Sequence, residues 1–150
     1  MADLAPILIA YDGSGCADAA IDKVGAEFAG RKVVILVVTE ELDRIPFAGS
    51  AGIPIEAETM EVLVDSARKS ANDMADQGAE RARGLGLDPS IAIAEGGPVW
   101  AQIVDAAEEH DVALIALGSR GLSGVKHVLL GSVSGAVAQH SKRSVFIVHS

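Results

Sequence analysis

Lys32-Val33-Val34-Ile35-Leu36-Val37-Val38 is a nearly unbroken apolar run, too short for a core helix and dominated by β-branched residues. Such a run reads as a strand buried on both faces, the signature of a parallel sheet. Upstream, residues Pro6 to Tyr11 form a second short apolar run, closed by the turn-forming Asp12-Gly13-Ser14-Gly15. Between the two, Ala17, Ala20, Ile21, Val24 and Phe28 recur at helical spacing, with Ser14 as a candidate cap and Gly30 as a stop. Downstream, residues 40–55 hold Pro46, Gly49, Gly52 and Pro54 without any period and read as an irregular loop. Met60, Leu63, Val64, Ala67, Ala71, Met74, Gly78 and Ala82 then predict one long amphipathic helix, ended by Gly84 and Gly86. Ser90 to Glu95 reads as a third strand. Gly96-Gly97-Pro98 is a turn into a helix with Trp100, Ile103, Val104 and Ala107 inward. Val112 to Leu117 is the fourth strand, Val133, Ala136, Val137 and His140 line a last helix, and Ser144 to His149 is the fifth strand. Strict alternation of strands and helices without repeat or linker predicts an α/β chain. Residues 1–150 then form one domain, an open, mostly parallel five-stranded sheet with helices on both faces. In such sheets ligands sit beyond the carboxyl ends of the strands, where strand order reverses. The ends of strands one and four, Asp12 and Gly118, are the expected flanks.

The fourth strand feeds into Gly118-Ser-Arg-Gly121-Leu-Ser-Gly-Val-Lys-His-Val-Leu-Leu-Gly131-Ser-Val-Ser134. A glycine-rich loop between a strand and a helix N-terminus gathers backbone N–H groups and a partial positive charge, which suits an anion, phosphate first. Gly118 and Gly121 can take backbone angles closed to other residues and let a ligand approach the main chain, and Gly131 can do the same at the helix entrance. Leu117 precedes the loop and Val133 opens the helix, while Ser132 and Ser134 offer hydroxyl donors or simple helix caps. Arg120, between two glycines, is the candidate for a phosphate oxygen, whereas Lys126 and His127 read as solvated loop residues.

A net charge of -9 argues against nucleic acid or an anionic membrane as partner. With one cysteine, Cys16, the chain offers neither an internal disulfide nor a Cys-based zinc site. No H-x-x-x-H pair, Ser/His/Asp set, Walker A loop or Ser-Gly-Gly-x-Asp-Ser loop is present. In Gly13-x-Gly15 the third glycine of a dinucleotide fingerprint is replaced by Asp18. The opening residues lack the basic and apolar regions of a signal peptide, and no stretch has the length of a membrane span, so a cytoplasmic location is expected.

The spacing Gly118-x2-Gly121-x9-Gly131-Ser132 resembles the ATP-binding signature of the universal stress protein family. It stands in order with Ala10-Tyr11-Asp12-Gly13-Ser14, Leu36-Val37-Val38, Gly96-x-Pro98 and the apolar Val145-Phe146-Ile147-Val148. The resemblance covers essentially the whole chain. It implies a Rossmann-like sheet of the adenine nucleotide α-hydrolase kind, ordered 3-2-1-4-5, and ATP as ligand, with or without Mg. It further implies adenine and ribose contacts through Ala10, Tyr11 and Asp12, largely by main chain, and Val38 as an apolar wall to the base. By residue chemistry alone Asp12 is equally a helix or turn cap. The last strand would pair with its copy in a homodimer. Two positions depart from the family pattern: Ala113 stands where an acidic residue is common, with Asp111 nearby, and residues 140–144 lack a proline before the last strand. The expected function is a nucleotide-dependent sensor in stress response, read by an unidentified protein partner. No general base or P-loop lysine is evident for fast hydrolysis. The alternatives are a weak ATPase or an enzyme phosphorylating Ser132 or Ser134, a nucleotide-free interaction module, and a cyclic-nucleotide binder.

Overall fold

The computed structural model describes residues 3–39, 56–121 and 130–150. The expected loop at 40–55, and Lys126 and His127, lie outside them. The elements are β1 (Ile7–Ala10), α1 (Gly15–Glu27), β2 (Lys32–Thr39), α2 (Ala57–Gly84), β3 (Asp88–Glu95), α3 (Val99–Glu109), β4 (Leu114–Gly118), α4 (Ser132–His140) and β5 (Ser144–Val148). They form one five-stranded sheet of order β3-β2-β1-β4-β5 with every pairing parallel. The chain builds outward from β1 to β3, then crosses to β4 on the other side. Strand order therefore reverses between β1 and β4.

Period-2 alternation sends each central strand into two cores. Ile7, Ile9, Ile35 and Val37 pack under α1 and α2, while Leu8, Leu36, Ile115 and Leu117 pack with Ile103 and Val137 of α3 and α4. Val33 through Val37 are all buried, so the run that predicted a two-sided strand is one. α2 settles on the first face through a stripe of small residues, Ala71, Ala75, Gly78, Ala79 and Ala82. A Cβ on Gly78 would lie 3.0 Å from both Ile35 and the Tyr11 ring, so the helix is seated at its closest approach there. The predicted buried stripe is shorter than expected: before Ala71 the helix buries no residue, and Leu63 is 41% exposed. His140, expected on the inner face of α4, is exposed and stacks on Trp100, ring centroids 4.4 Å apart.

At the amino ends of the strands, Arg143 links the stretch 140–144 to the residues just before Ala113. Its guanidinium donates to both carboxylate oxygens of Glu108, to Asp111 at 2.9 Å and to the Val112 carbonyl at 3.0 Å. It thus ties the start of β5 to the turn before β4. Its proximity holds the Glu108 carboxyl below the usual carboxylate range, chiefly through the hydrogen bond. Ala113 needs no side-chain partner, since its N–H donates to the Pro6 carbonyl at 2.8 Å. β5 pairs with β4 alone, with Phe146 set edge-on to Phe28 at 5.8 Å. Among the described residues no helix is long and apolar enough to cross a membrane.

Candidate functional site

Where strand order reverses, a cavity of about 320 Å³ opens beyond the carboxyl ends of β1, β2 and β4. All twelve residues singled out from the sequence line it: Ala10, Tyr11, Asp12, Val38, Leu117, Gly118, Arg120, Gly121, Gly131, Ser132, Val133 and Ser134.

The β1 side is fixed by a tight turn. The Ser14 N–H donates to Asp12 Oδ1 at 3.0 Å, Gly13 takes a left-handed φ of 77°, and Ser14 Oγ accepts from the Ala17 N–H at 3.1 Å. Asp12 and Ser14 together start α1. The second carboxylate oxygen, Oδ2, faces across to Gly121, where a Cβ would lie 2.9 Å from it.

The other side is the glycine loop's two ends, and the reason for its glycines differs from the expectation. None of Gly118, Gly121 and Gly131 has a left-handed φ. Close approach requires them instead. At Gly118 a Cβ would lie 2.7 Å from the Cys16 Cβ and 2.8 Å from its main-chain carbon and oxygen, so β4 ends directly against the first turn of α1. At Gly131 a Cβ would come within 3.2 Å of the Ser119 carbonyl oxygen. That carbonyl anchors the returning chain, accepting from the Gly131 N–H at 2.6 Å and from Ser134 Oγ at 2.9 Å.

The two serines therefore differ. Ser134 is 2% exposed and its hydroxyl proton is already directed at main-chain oxygens, whereas Ser132 is exposed at the helix start. Gly131 supplies no side-chain cap, so among the described residues the first-turn N–H groups of α4 have no side-chain acceptor. Among the described lining residues Arg120 is the only cation and Asp12 the only carboxylate. No group of three or more metal-ligating side chains occurs among the described residues.

Sequence reading missed Ser14, Ala17, Leu36, Val99, Ile103 and Ser119, which also line the cavity. Leu36 could have been found from Val38, two residues on along the same face of a strand. Val99 and Ile103 share one face of α3 at i,i+4 spacing, but nothing in sequence aims that face at β2.

Tyr11 lines the cleft and also belongs to the core, 4% exposed. Its ring lies in the core beneath α2, and its hydroxyl donates to Asp18 Oδ1 at 2.9 Å. Burial, then the Asp18 carboxylate, push the phenol from its ordinary 10.0 up to about 12. Because the folded value is the raised one, stability from the neutral phenol is present below pH 10 and is lost as pH rises through about 12. Tyr11 is the only tyrosine, so ultraviolet titration of the native protein should show a single phenolate transition near pH 12 rather than 10. Tyr11→Phe should abolish that transition and flatten the alkaline fall of the denaturant midpoint. A native midpoint at 10 would refute the burial of this hydroxyl.

Residues 4–149 match the sequence model of the universal stress protein family. The chain is 30% identical over 144 residues to universal stress protein YxiE of Bacillus subtilis, spanning 95% of this chain and 97% of that one. Its fold matches the solved structure of hypothetical protein MJ0577 with a TM-score of 0.78 at 25% identity, over 99% of this chain and 98% of the other. It also matches a universal stress protein solved in complex with cAMP, at a TM-score of 0.67 and 25% identity over 99% of each chain. With the family's sequence model matched over residues 4–149 and a relative 30% identical across 95% of its length, the chain belongs to the universal stress protein family.

Proposed function

We propose that this chain binds an adenine nucleotide, ATP first, and acts as a cytoplasmic, homodimeric nucleotide sensor in stress response with little or no hydrolysis. One observation carries the reading: a helix start without a side-chain cap faces, across an apolar slot, a strand edge that no other described strand pairs with at Val38. The β1–β2 ladder ends where the Tyr11 N–H donates to the Leu36 carbonyl at 2.9 Å. In a parallel ladder the N–H and C=O of one residue point to the same side, and that side alternates along the strand. Val38 therefore offers its N–H and C=O past the end of β1, toward the cleft. A donor beside an acceptor matches N1 and the amino group of adenine. Val38, Ala10 and Leu36 on one side and Val99 and Ile103 on the other form an apolar slot for the ring. The phosphates then fall to the N-terminus of α4, Ser132 and Arg120. Asp12 Oδ2 is placed for ribose or for a Mg ion carried in with the phosphates.

Slow turnover follows from the lining. In this reading one Asp12 oxygen is held in its turn and the other is taken by ribose or Mg, and Ser134 is buried with its proton committed, so neither is free as a base or phosphoryl acceptor; Ser132 is the exposed one of the two serines. The outer edge of β5, with Val145, Phe146 and Ile147 half-buried and Val148 buried, offers the surface for a second copy. A cyclic adenine nucleotide is the second reading, favoured by the single cation in the described lining and by the cAMP held by a solved relative.

The test is to denature freshly purified protein, identify the released small molecules by chromatography and mass spectrometry, and repeat with Gly121→Val. Release of an adenine nucleotide from the wild type alone is expected, because the valine would close the gap between loop and Asp12. A wild type that is empty and takes up neither Mg-ATP nor cAMP in calorimetry would overturn the proposal.

A further inference from the structure

We infer that Arg120 is shared between the phosphate end of the cleft and the segment that follows β5, so that phosphate binding unlatches that segment. The Arg120 guanidinium donates to the Ser150 main-chain oxygen at 3.4 Å. Ser150 Oγ in turn lies 2.8 Å from Cys16 Sγ, in the first turn of α1. One residue further in, the Ser119 N–H donates to the Val148 carbonyl at 2.9 Å, which continues the β4–β5 ladder to its end. Ser150 thus joins α1 to the start of the glycine loop, and Arg120 is the hand that holds it.

The same guanidinium lines the cleft. Its bond to Ser150 is at the long limit for a hydrogen bond and goes to a main-chain oxygen. A phosphate offers a shorter, charge-assisted and bidentate alternative, so Arg120 turns to it when it arrives. Ser150 is then released from its bond to Arg120 and keeps its contact with Cys16, beside the outermost strand of the sheet. A nucleoside without phosphate gives Arg120 no reason to move. This coupling rests on the nucleotide reading of the cleft, while the latch itself does not.

Cys16 reports the latch. It is the only cysteine, it touches Ser150, and it is not among the residues lining the cleft. Its rate of labelling by a disulfide reagent would be compared in the ligand-free wild type, in Arg120→Ala and Arg120→Gln, and in the wild type saturated with ATP or with adenosine, binding being followed by calorimetry. Loss of a single long, exposed hydrogen bond, at the net worth of an ordinary one, predicts labelling about fivefold faster in both variants. A similar rise is expected with ATP, and none with adenosine. Variants that label at the wild-type rate would overturn the latch, and a rate unchanged or slowed by bound ATP would overturn the coupling. If calorimetry shows no nucleotide bound, the nucleotide reading and the coupling fall, and the Arg120 variants still decide the latch.

Discussion

Gly118→Ala should lower folding stability by about 2 kcal/mol, within the usual range for forcing extra atoms into a packed site. The added carbon would meet the Cβ, main-chain carbon and main-chain oxygen of Cys16 at 2.7 to 2.8 Å, closer than such atoms approach. A flexible side-chain tip could swing aside, but the first turn of α1 cannot. That turn is held by the Asp12 and Ser14 hydrogen bonds, and β4 is held between β1 and β5. The strain must therefore separate α1 from the sheet. Gly135→Ala is the control. Among the described residues no atom beyond its chain neighbours and its own helix backbone lies within 4 Å of its added carbon, and alanine favours a helix interior over glycine by about 1 kcal/mol. Urea denaturation should show the first variant with a lower midpoint and the second with one equal or higher. Equal midpoints for Gly118→Ala and the wild type would mean that β4 and α1 do not meet as closely as the structure has them.

That contrast also shows what could be read from sequence. The glycine pattern located the loop, and the strand runs on either side located the reversal point, because burial on two faces and period-2 alternation are properties of local sequence. Which physical demand each glycine meets was not legible. Contact between residues 16 and 118 is a product of topology, and the sequence suggested special backbone angles where the structure has steric closeness. Ser134 is a similar case: a serine at a helix start reads as a donor to ligand, and only the folded chain shows its proton spent on Ser119. The stripe of α2 was over-read at its amino end, since amphipathic spacing at Met60, Leu63 and Val64 says nothing about where the sheet beneath it stops. By residue chemistry alone Asp12 stands between cap and ligand. The structure gives one oxygen to the turn and turns the other to the cleft.

The edge of β2 supports the largest expected effect on binding. Val38→Pro should weaken binding of an adenine nucleotide by about 100-fold, the loss expected when a buried polar pair goes unmade and the proline ring occupies its place. The fold should tolerate the change better than a proline in a central strand usually allows. The Gly96 N–H donates to the Thr39 carbonyl at 3.0 Å, so Thr39, and by alternation Val37, point to β3, while Val38 points to the cleft. Proline there removes no ladder bond. Val38→Ala keeps both main-chain groups and loses two methyl groups of wall, which at about 0.8 kcal/mol each sets an upper limit near fifteenfold. The same geometry predicts discrimination between bases, because guanine places an acceptor where adenine has its amino group and a donor where adenine has N1. A site that leaves buried groups unpaired against the wrong ligand rejects it by roughly 100-fold or more. Calorimetric titration of ATP and GTP into the wild type, Val38→Ala and Val38→Pro, with thermal melts alongside, tests both. A proline variant that folds and binds ATP as the wild type does would remove Val38 from base recognition. Equal binding of GTP and ATP by the wild type would leave the slot without selectivity for adenine.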